Sequence, residues 1–208
     1  MFSLSMLRAS AQQEPSFSHY WAMEPSFNPA AAGKESKLNV AGAYAMTLTG
    51  FENAPRTMYV GADMPLMLMN ALHGVGVQLM NDQIGLFNHQ RLALQYAYKH
   101  RLLGGLLSVG VQVGMLSEKF RGSELDLENM SDPAFSTTDV TGTALDVSAG
   151  LYYTHRQWYA GVSVLHATAP SIELGERSIL DISRMYYLTG GYNIRLTNPF
   201  FTIHPSVL

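Results

Sequence analysis

The sequence predicts an all-β chain and, more narrowly, an outer-membrane antiparallel up-and-down β-barrel. Three observations carry this. Apolar residues alternate with small or polar ones through most of the 208 residues, the period-2 signature of strands with two unlike faces. Hydrophobic residues make up 47% and charged residues only 14%, against about 25% charged in a typical soluble domain, yet no run of about 18–20 apolar residues offers a helical span. The least charged candidate, Leu102 to Ser117, carries Gly104, Gly105, Gly110, Gly114 and Gln112, too much glycine for a stable helix. Finally, short and long connections fall on alternate loops, as they do in outer-membrane barrels.

Composition also excludes several classes. So much apolar surface cannot stay disordered. A net charge of −3 and pI near 6.1, with no basic cluster, argue against nucleic-acid binding. With no cysteine, there is no disulfide framework, no thiolate nucleophile and no Cys-ligated zinc.

From the N-terminus, the apolar Met1–Leu7 followed by Ala9-Ser10-Ala11 reads as the tail of an export signal, so 1–11 is expected to be a signal-peptide remnant. Residues 12–35 form an N-terminal segment at the periplasmic mouth, and 36–208 the barrel. In the turn Asn28-Pro29 to Gly33, Asn-Pro favours a reversal and Gly33 permits a positive φ. This segment is expected to tuck into the mouth, though a plain capped turn fits equally.

Nine strands are expected, at roughly 36–48, 56–64, 73–81, 86–99, 103–117, 142–154, 157–166, 183–196 and 200–207. The fifth shows the pattern best: Leu107, Val109, Val111, Val113 and Met115 against Ser108, Gly110, Gln112 and Gly114. A short Met/Leu-rich stretch, Pro65 to Leu72, is the one candidate helix. Asn81-Asp82-Gln83-Ile84-Gly85 reads as a tight hairpin turn. With the first strand running outward, 65–72, 100–102, 155–156 and 197–199 are periplasmic turns, and 49–55, 82–85, 118–141 and 167–182 face outside. Tyr96/Tyr98, Tyr152/Tyr153, Trp158/Tyr159 and Tyr186/Tyr187 near strand ends suggest an interfacial girdle, with core aromatics as the rival reading. An odd strand count is unusual for a single-chain barrel. Phe200 to Leu208 also ends inside a strand-like pattern. Together these predict a partial barrel lacking C-terminal strands.

The residues also resemble a family. Gln12-Gln13-Glu14-Pro15-Ser16-Phe17-Ser18-His19-Tyr20 is followed by Phe27-Asn28-Pro29-Ala30-Ala31-Ala32-Gly33. In order come Ala54-Pro55-Arg56-Thr57, Ala62-Asp63-Met64-Pro65, Gly74-Val75-Gly76, Asn81-Asp82-Gln83-Ile84-Gly85, Tyr96-Ala97-Tyr98 and Phe200 to Leu208. This ordered set is similar to the PorP/SprF family of type IX secretion membrane proteins. Tyr44-Ala45-Met46 departs from the Arg and Trp frequent there. The resemblance implies an outer-membrane barrel of roughly fourteen strands, like the fatty-acid transporters, within the even-numbered range of such barrels. It also implies a non-enzymatic part in the secretion and gliding machinery of Gram-negative Bacteroidota. The partners it implies are secreted surface adhesins as cargo, and periplasmic or peptidoglycan-associated secretion components. The lipid bilayer is the other partner; no cofactor, metal or nucleic acid is implied. Family-motif candidates for structure or partner binding are Phe17, Asn28, Pro29, Gly33, Pro55, Asp63, Pro65, Asn81, Asp82 and Gly85.

Asp63 shares parity with Thr57, Tyr59 and Gly61 and should face the lumen, to pair with Arg91 or Lys99, to hold a plug, or simply to be hydrated. Gln78, Gln95, Lys99, Gln112 and Asp146 are further lumen-facing candidates. A docking barrel predicts a blocked or plugged lumen, and a channel for small hydrophobic or polar solutes an open or gated lumen lined by these residues; the residues themselves suit either. Glu124, Asp126, Glu128 and Asp132 lack the EF-hand pattern and read as a solvated loop. The histidines His19, His73, His89, His100, His155, His166 and His204 have no i, i+4 pair. No G-x-S-x-G elbow is present, and Ser163 and His166 lie on opposite strand parities, which disfavours a hydrolase.

Overall fold

The computed structural model describes residues 20–47, 50, 54–124, 138–175, 178–195, 202–203 and 205–208. The export-signal expectation, Phe17, and Asp126, Glu128 and Asp132 lie outside these residues.

The strands in chain order are β1 (Asn39–Met46), β2 (Arg56–Leu68), β3 (Ala71–Ile84), β4 (Phe87–Leu102), β5 (Gly105–Phe120), β6 (Val140–Thr154), β7 (Trp158–Leu165), β8 (Ser171–Leu174), β9 (Ser178–Asp181), β10 (Met185–Tyr192), β11 (Ile194–Arg195), β12 (Thr202–Ile203) and β13 (Ser206–Val207). Nine of them form one antiparallel sheet in the order β1-β2-β3-β4-β5-β6-β7-β10-β13, curled into a half-barrel. The all-β barrel expectation holds in this form. β8 and β9 make a separate hairpin, and β11 and β12 a second two-stranded pair.

The alternation decides which face is which. On β5 the odd positions Val109, Val111, Val113 and Met115 are exposed on the convex face, and the even positions Ser108, Gly110, Gln112 and Gly114 are buried on the concave one. Leu92, Leu94, Val77, Leu79, Leu145, Leu151, Val162 and Leu188 continue the exposed apolar face across neighbouring strands. From Leu107 to Met115 this band runs about 27 Å along the strand. At a tilt of about 40° it is about 21 Å tall, close to the ~25 Å band of an outer-membrane barrel. The buried side is the reverse of a soluble core. Among the described residues, buried polar or charged side chains number 17 beside 16 hydrophobic ones.

Two ends differ. At one, β2–β3 and β4–β5 join through two-residue turns, Met69-Asn70 (φ 50°, 60°) and Leu103-Gly104 (φ 47°, 76°). Two consecutive left-handed residues match the right-handed strand twist. The β6–β7 turn is at this end too, whereas residues 47–55, 121–139 and 166–184 make the longer connections at the other. At the base of one of them, Ser123 Oγ donates to Asp139 Oδ1 (2.7 Å) and Lys119 Nζ lies 3.1 Å from Oδ2. The Ser123 hydrogen bonds, then the lysine, hold the Asp139 carboxyl below its ordinary range.

Several expectations are corrected. Pro65 to Leu72 is not helical: Pro65–Leu68 end β2, Ala71 starts β3, and Pro65 pairs with Gly74. The β1 ladder ends at the Asn39–Asp63 pair, so the missing N–H of Pro65 costs no bond on that side. Asn81 and Asp82 are strand residues paired with Gln90 and His89; the turn is displaced to Gly85-Leu86, where Gly85 supplies φ 59°. The girdle is half a girdle. Tyr96, Tyr98, Trp158 and Tyr186 are exposed on the convex face, whereas Tyr152 is buried inward, stacked on Tyr159 at 5.6 Å, and Tyr187 meets Phe27 at 5.8 Å. The β8–β9 hairpin inside 167–182 was not expected at all.

Candidate functional site

The concave face is occupied by the chain's own residues 20–34, wound into three short 3-10 turns, Tyr20–Ala22, Glu24–Ser26 and Pro29–Ala31. Pro25 and Pro29 sit in the first positions of the latter two, where a missing N–H is harmless. Asn28 caps the third: its Oδ1 accepts from Ala30 N at 3.0 Å. The same side chain, fully buried, donates through Nδ2 to Leu151 O (3.1 Å) and Val162 O (3.5 Å) on the wall.

The wall answers the plug group by group. Gln95 Nε2 donates to Pro25 O (2.5 Å), Ser163 Oγ to Phe27 O (2.6 Å) and Ser108 Oγ to Ala30 O (2.6 Å). Asp63 Oδ2 accepts from Gly33 N (2.8 Å), and its Oδ1 from Asn39 Nδ2 (3.1 Å). Asp63 thus joins residues 33 and 39 to β2. At the mouth, Lys34 Nζ bonds Glu24 Oε2 (2.8 Å) and lies over the Tyr159 ring at 4.9 Å, and Tyr152 donates to the same carboxylate (2.9 Å).

Close approach needs wall positions without side chains. A Cβ at Gly74 would overlap Ala32 O, one at Gly110 would overlap Ala30 N, and one at Gly150 would overlap Asn28 Oδ1. Gly33 itself needs φ 63°, and a Cβ there would stand 2.7 Å from Met64 O. The alanines between Pro29 and Gly33 are small for the same reason: Ala30, Ala31 and Ala32 are at most 1% exposed.

Beneath the plug runs a polar row across three strands. Gln78 and Gln95 both donate to Gln112 Oε1, at 2.5 and 2.8 Å. Lys99 is buried on the same face. Asp146 lies further toward the long loops, 3.0 Å from His166 Nδ1. The cavity left beside Met23, Tyr59, Asp63 and Gln95 is about 10 Å³, no more than one water. At the long-loop end the β8–β9 hairpin packs against β5 and β6. Ile172, Leu174 and Ile182 pack with Leu116, Val140, Ala144 and Leu180, and a Cβ at Gly142 would overlap Glu173 O.

Of the remaining candidates, Pro55 closes the β1–β2 connection by accepting from Thr47 N (3.1 Å). Asp82 accepts from Thr57 Oγ1 (2.6 Å), and Asn81 from Gln90 Nε2 (3.0 Å). These are wall contacts away from the plug. Ser163 and His166 are both buried, because His166 lies beyond β7 with φ 53°, so strand parity does not separate them. They still serve different partners, Phe27 O and Asp146. Among the described residues no group of three His, Cys, Asp or Glu could hold a metal. Parity did not reveal Ser108, Ser163 or the wall glycines Gly74, Gly110 and Gly150 as plug contacts. Their one sequence signal was small residues recurring on the polar side of long strands.

No described helix is long and apolar enough to cross a membrane. No curated protein and no solved structure matches the chain. One family model, described as type IX secretion system membrane protein PorP/SprF, matches residues 9–208. The chain thus belongs to the PorP/SprF family of type IX secretion system membrane proteins.

Proposed function

We propose that this chain acts in the outer membrane as a plugged docking barrel: it holds protein partners of the secretion machinery and does not conduct a solute. The observation that carries this is the filling of the concave face. Gln78, Gln95, Lys99, Gln112 and Asp146, the residues that would line an open or gated channel, are each at most 5% exposed on the concave side. In this reading residues 20–34 sit at the periplasmic mouth, and the short turns point to the periplasm. The partners there are periplasmic or peptidoglycan-associated components, and the long loops face the surface adhesins that are secreted or retained.

A second observation favours protein contact. The tips of the short turns are apolar where water-facing turns are normally polar: Met67, Leu68, Met69, Leu102 and Leu103 are all exposed. Contiguous exposed apolar residues mark interaction sites. The test is affinity capture of the tagged protein from detergent-solubilised outer membranes, with mass spectrometry, paired with conductance in planar bilayers. Recovery of secretion components or a large surface adhesin, with no conductance, is expected. A partner-free protein with stable conductance would overturn the reading in favour of a channel.

A further inference from the structure

The plug is held in the manner of a bound peptide. Four strands each touch one of its main-chain groups: Gln95 of β4, Ser163 of β7 and Ser108 of β5 donate to carbonyls, and Asp63 of β2 accepts from an N–H. Contacts of this kind read the path of a chain and are indifferent to most side chains, leaving specificity to the pockets. Here that specificity is a size limit set by the wall glycines. The plug's own main-chain bonds close within itself, Asn28 N to Glu24 O and Ala31 N to Asn28 O among them. It contributes no strand to the sheet, so it can leave without breaking a ladder.

The groove also has capacity that the plug does not use. Gln78 Oε1, Gln112 Nε2 and Thr189 Oγ1 are buried with no hydrogen-bond partner among the described residues. Buried polar groups are normally satisfied. Three such groups on one concave wall point to a bed with more bonds to make than its resident makes.

We propose that residues 24–33 are the resident ligand of a peptide-binding groove, and that a segment rich in alanine and glycine, carried by a partner protein, takes their place when the plug withdraws. The source of that segment rests on the docking reading above; the groove itself can be tested without any partner.

The probe is a fluorescein-labelled peptide with this chain's residues 24–34, EPSFNPAAAGK, added to the full chain in detergent micelles beside a scrambled peptide. Glu24→Gln weakens the plug at Lys34 and Tyr152 while leaving the wall intact. The peptide is expected to bind Glu24→Gln about 10-fold more tightly than the unaltered chain, a change of about 1.4 kcal/mol. Adding Gly110→Val should abolish that binding, and the scrambled peptide should not bind. Equal binding of the scrambled peptide, no gain with Glu24→Gln, or indifference to Gly110→Val would each overturn the proposal. A second arm guards against misfolding. A protease site is placed over the exposed residues 35–37, and the sheet is verified by heat-modifiable gel migration. The peptide should bind more tightly after cleavage than before it; a cleaved, folded chain that shows no gain also overturns the proposal. If the peptide binds and affinity capture recovers no partner, the groove stands and the docking reading falls.

Discussion

At the scale of single residues, the plug depends on a few donors and on the absence of side chains. Ser108 is the cleanest example, a buried hydroxyl giving its one proton to Ala30 O at 2.6 Å. Ser108→Ala leaves that carbonyl unsatisfied, so a loss of about 1–3 kcal/mol is expected. Chemical unfolding in micelles checks this, and protease sensitivity at residues 20–34 should rise with it. Leu103 presents the opposite case. It holds a left-handed conformation (φ 47°) ahead of Gly104 and projects into solvent. Leu103→Asn creates the preferred Asn-Gly pair of a two-residue hairpin and should stabilise the chain by about 1 kcal/mol. Under the docking proposal the same change reduces partner recovery in affinity capture. Stability gained with partner recovery undiminished would show that the apolar tip has no binding role.

At the scale of elements, the plug and the β8–β9 hairpin both pack on the sheet, and they do so by different physics. The plug is tied to the wall by polar contacts and fitted to its glycines. The hairpin is apolar, with Ile172 fully buried at the centre of its cluster. Ile172→Ala should cost about 2–5 kcal/mol, felt locally, and appear as faster hydrogen exchange across β8 and β9 with the β3–β5 ladders unchanged. The strands themselves were readable in the sequence, because a period of two with lipid outside and polar groups inside leaves a pattern in every strand. Their ends were less so. Met69-Asn70 and Leu103-Gly104 turn in two residues with an apolar first member, which carries little of the usual turn chemistry, and Pro65 looked like a strand terminator. Parity placed Asp63 and the glutamines on the inner face. It could not say what covers them, because three 3-10 turns have no long hydrophobic period. The β8–β9 hairpin is only four residues a side, and its Ile172/Leu174 alternation was lost in a loop-like stretch.

At the scale of the whole molecule, the chain is inside-out relative to a soluble protein, with an apolar convex face and a polar concave one that the chain fills itself. Val111 lies near the middle of β5 on the exposed side. Val111→Lys is expected to cost about 2–4 kcal/mol of stability in a bilayer, as lipid-facing cations do near the midplane, and folding titrations into liposomes measure it. A cost near zero would place this face in water.

Residues 20–34 fill the concave face, and thiol labelling can read this position by position, because the chain has no cysteine of its own. Ala31→Cys and Ser36→Cys, one buried and one exposed, are each treated with a membrane-impermeant maleimide in the folded, reconstituted protein. The expected result is rapid labelling at Ser36→Cys and labelling at Ala31→Cys only after unfolding. Equal rates at the two positions would contradict it.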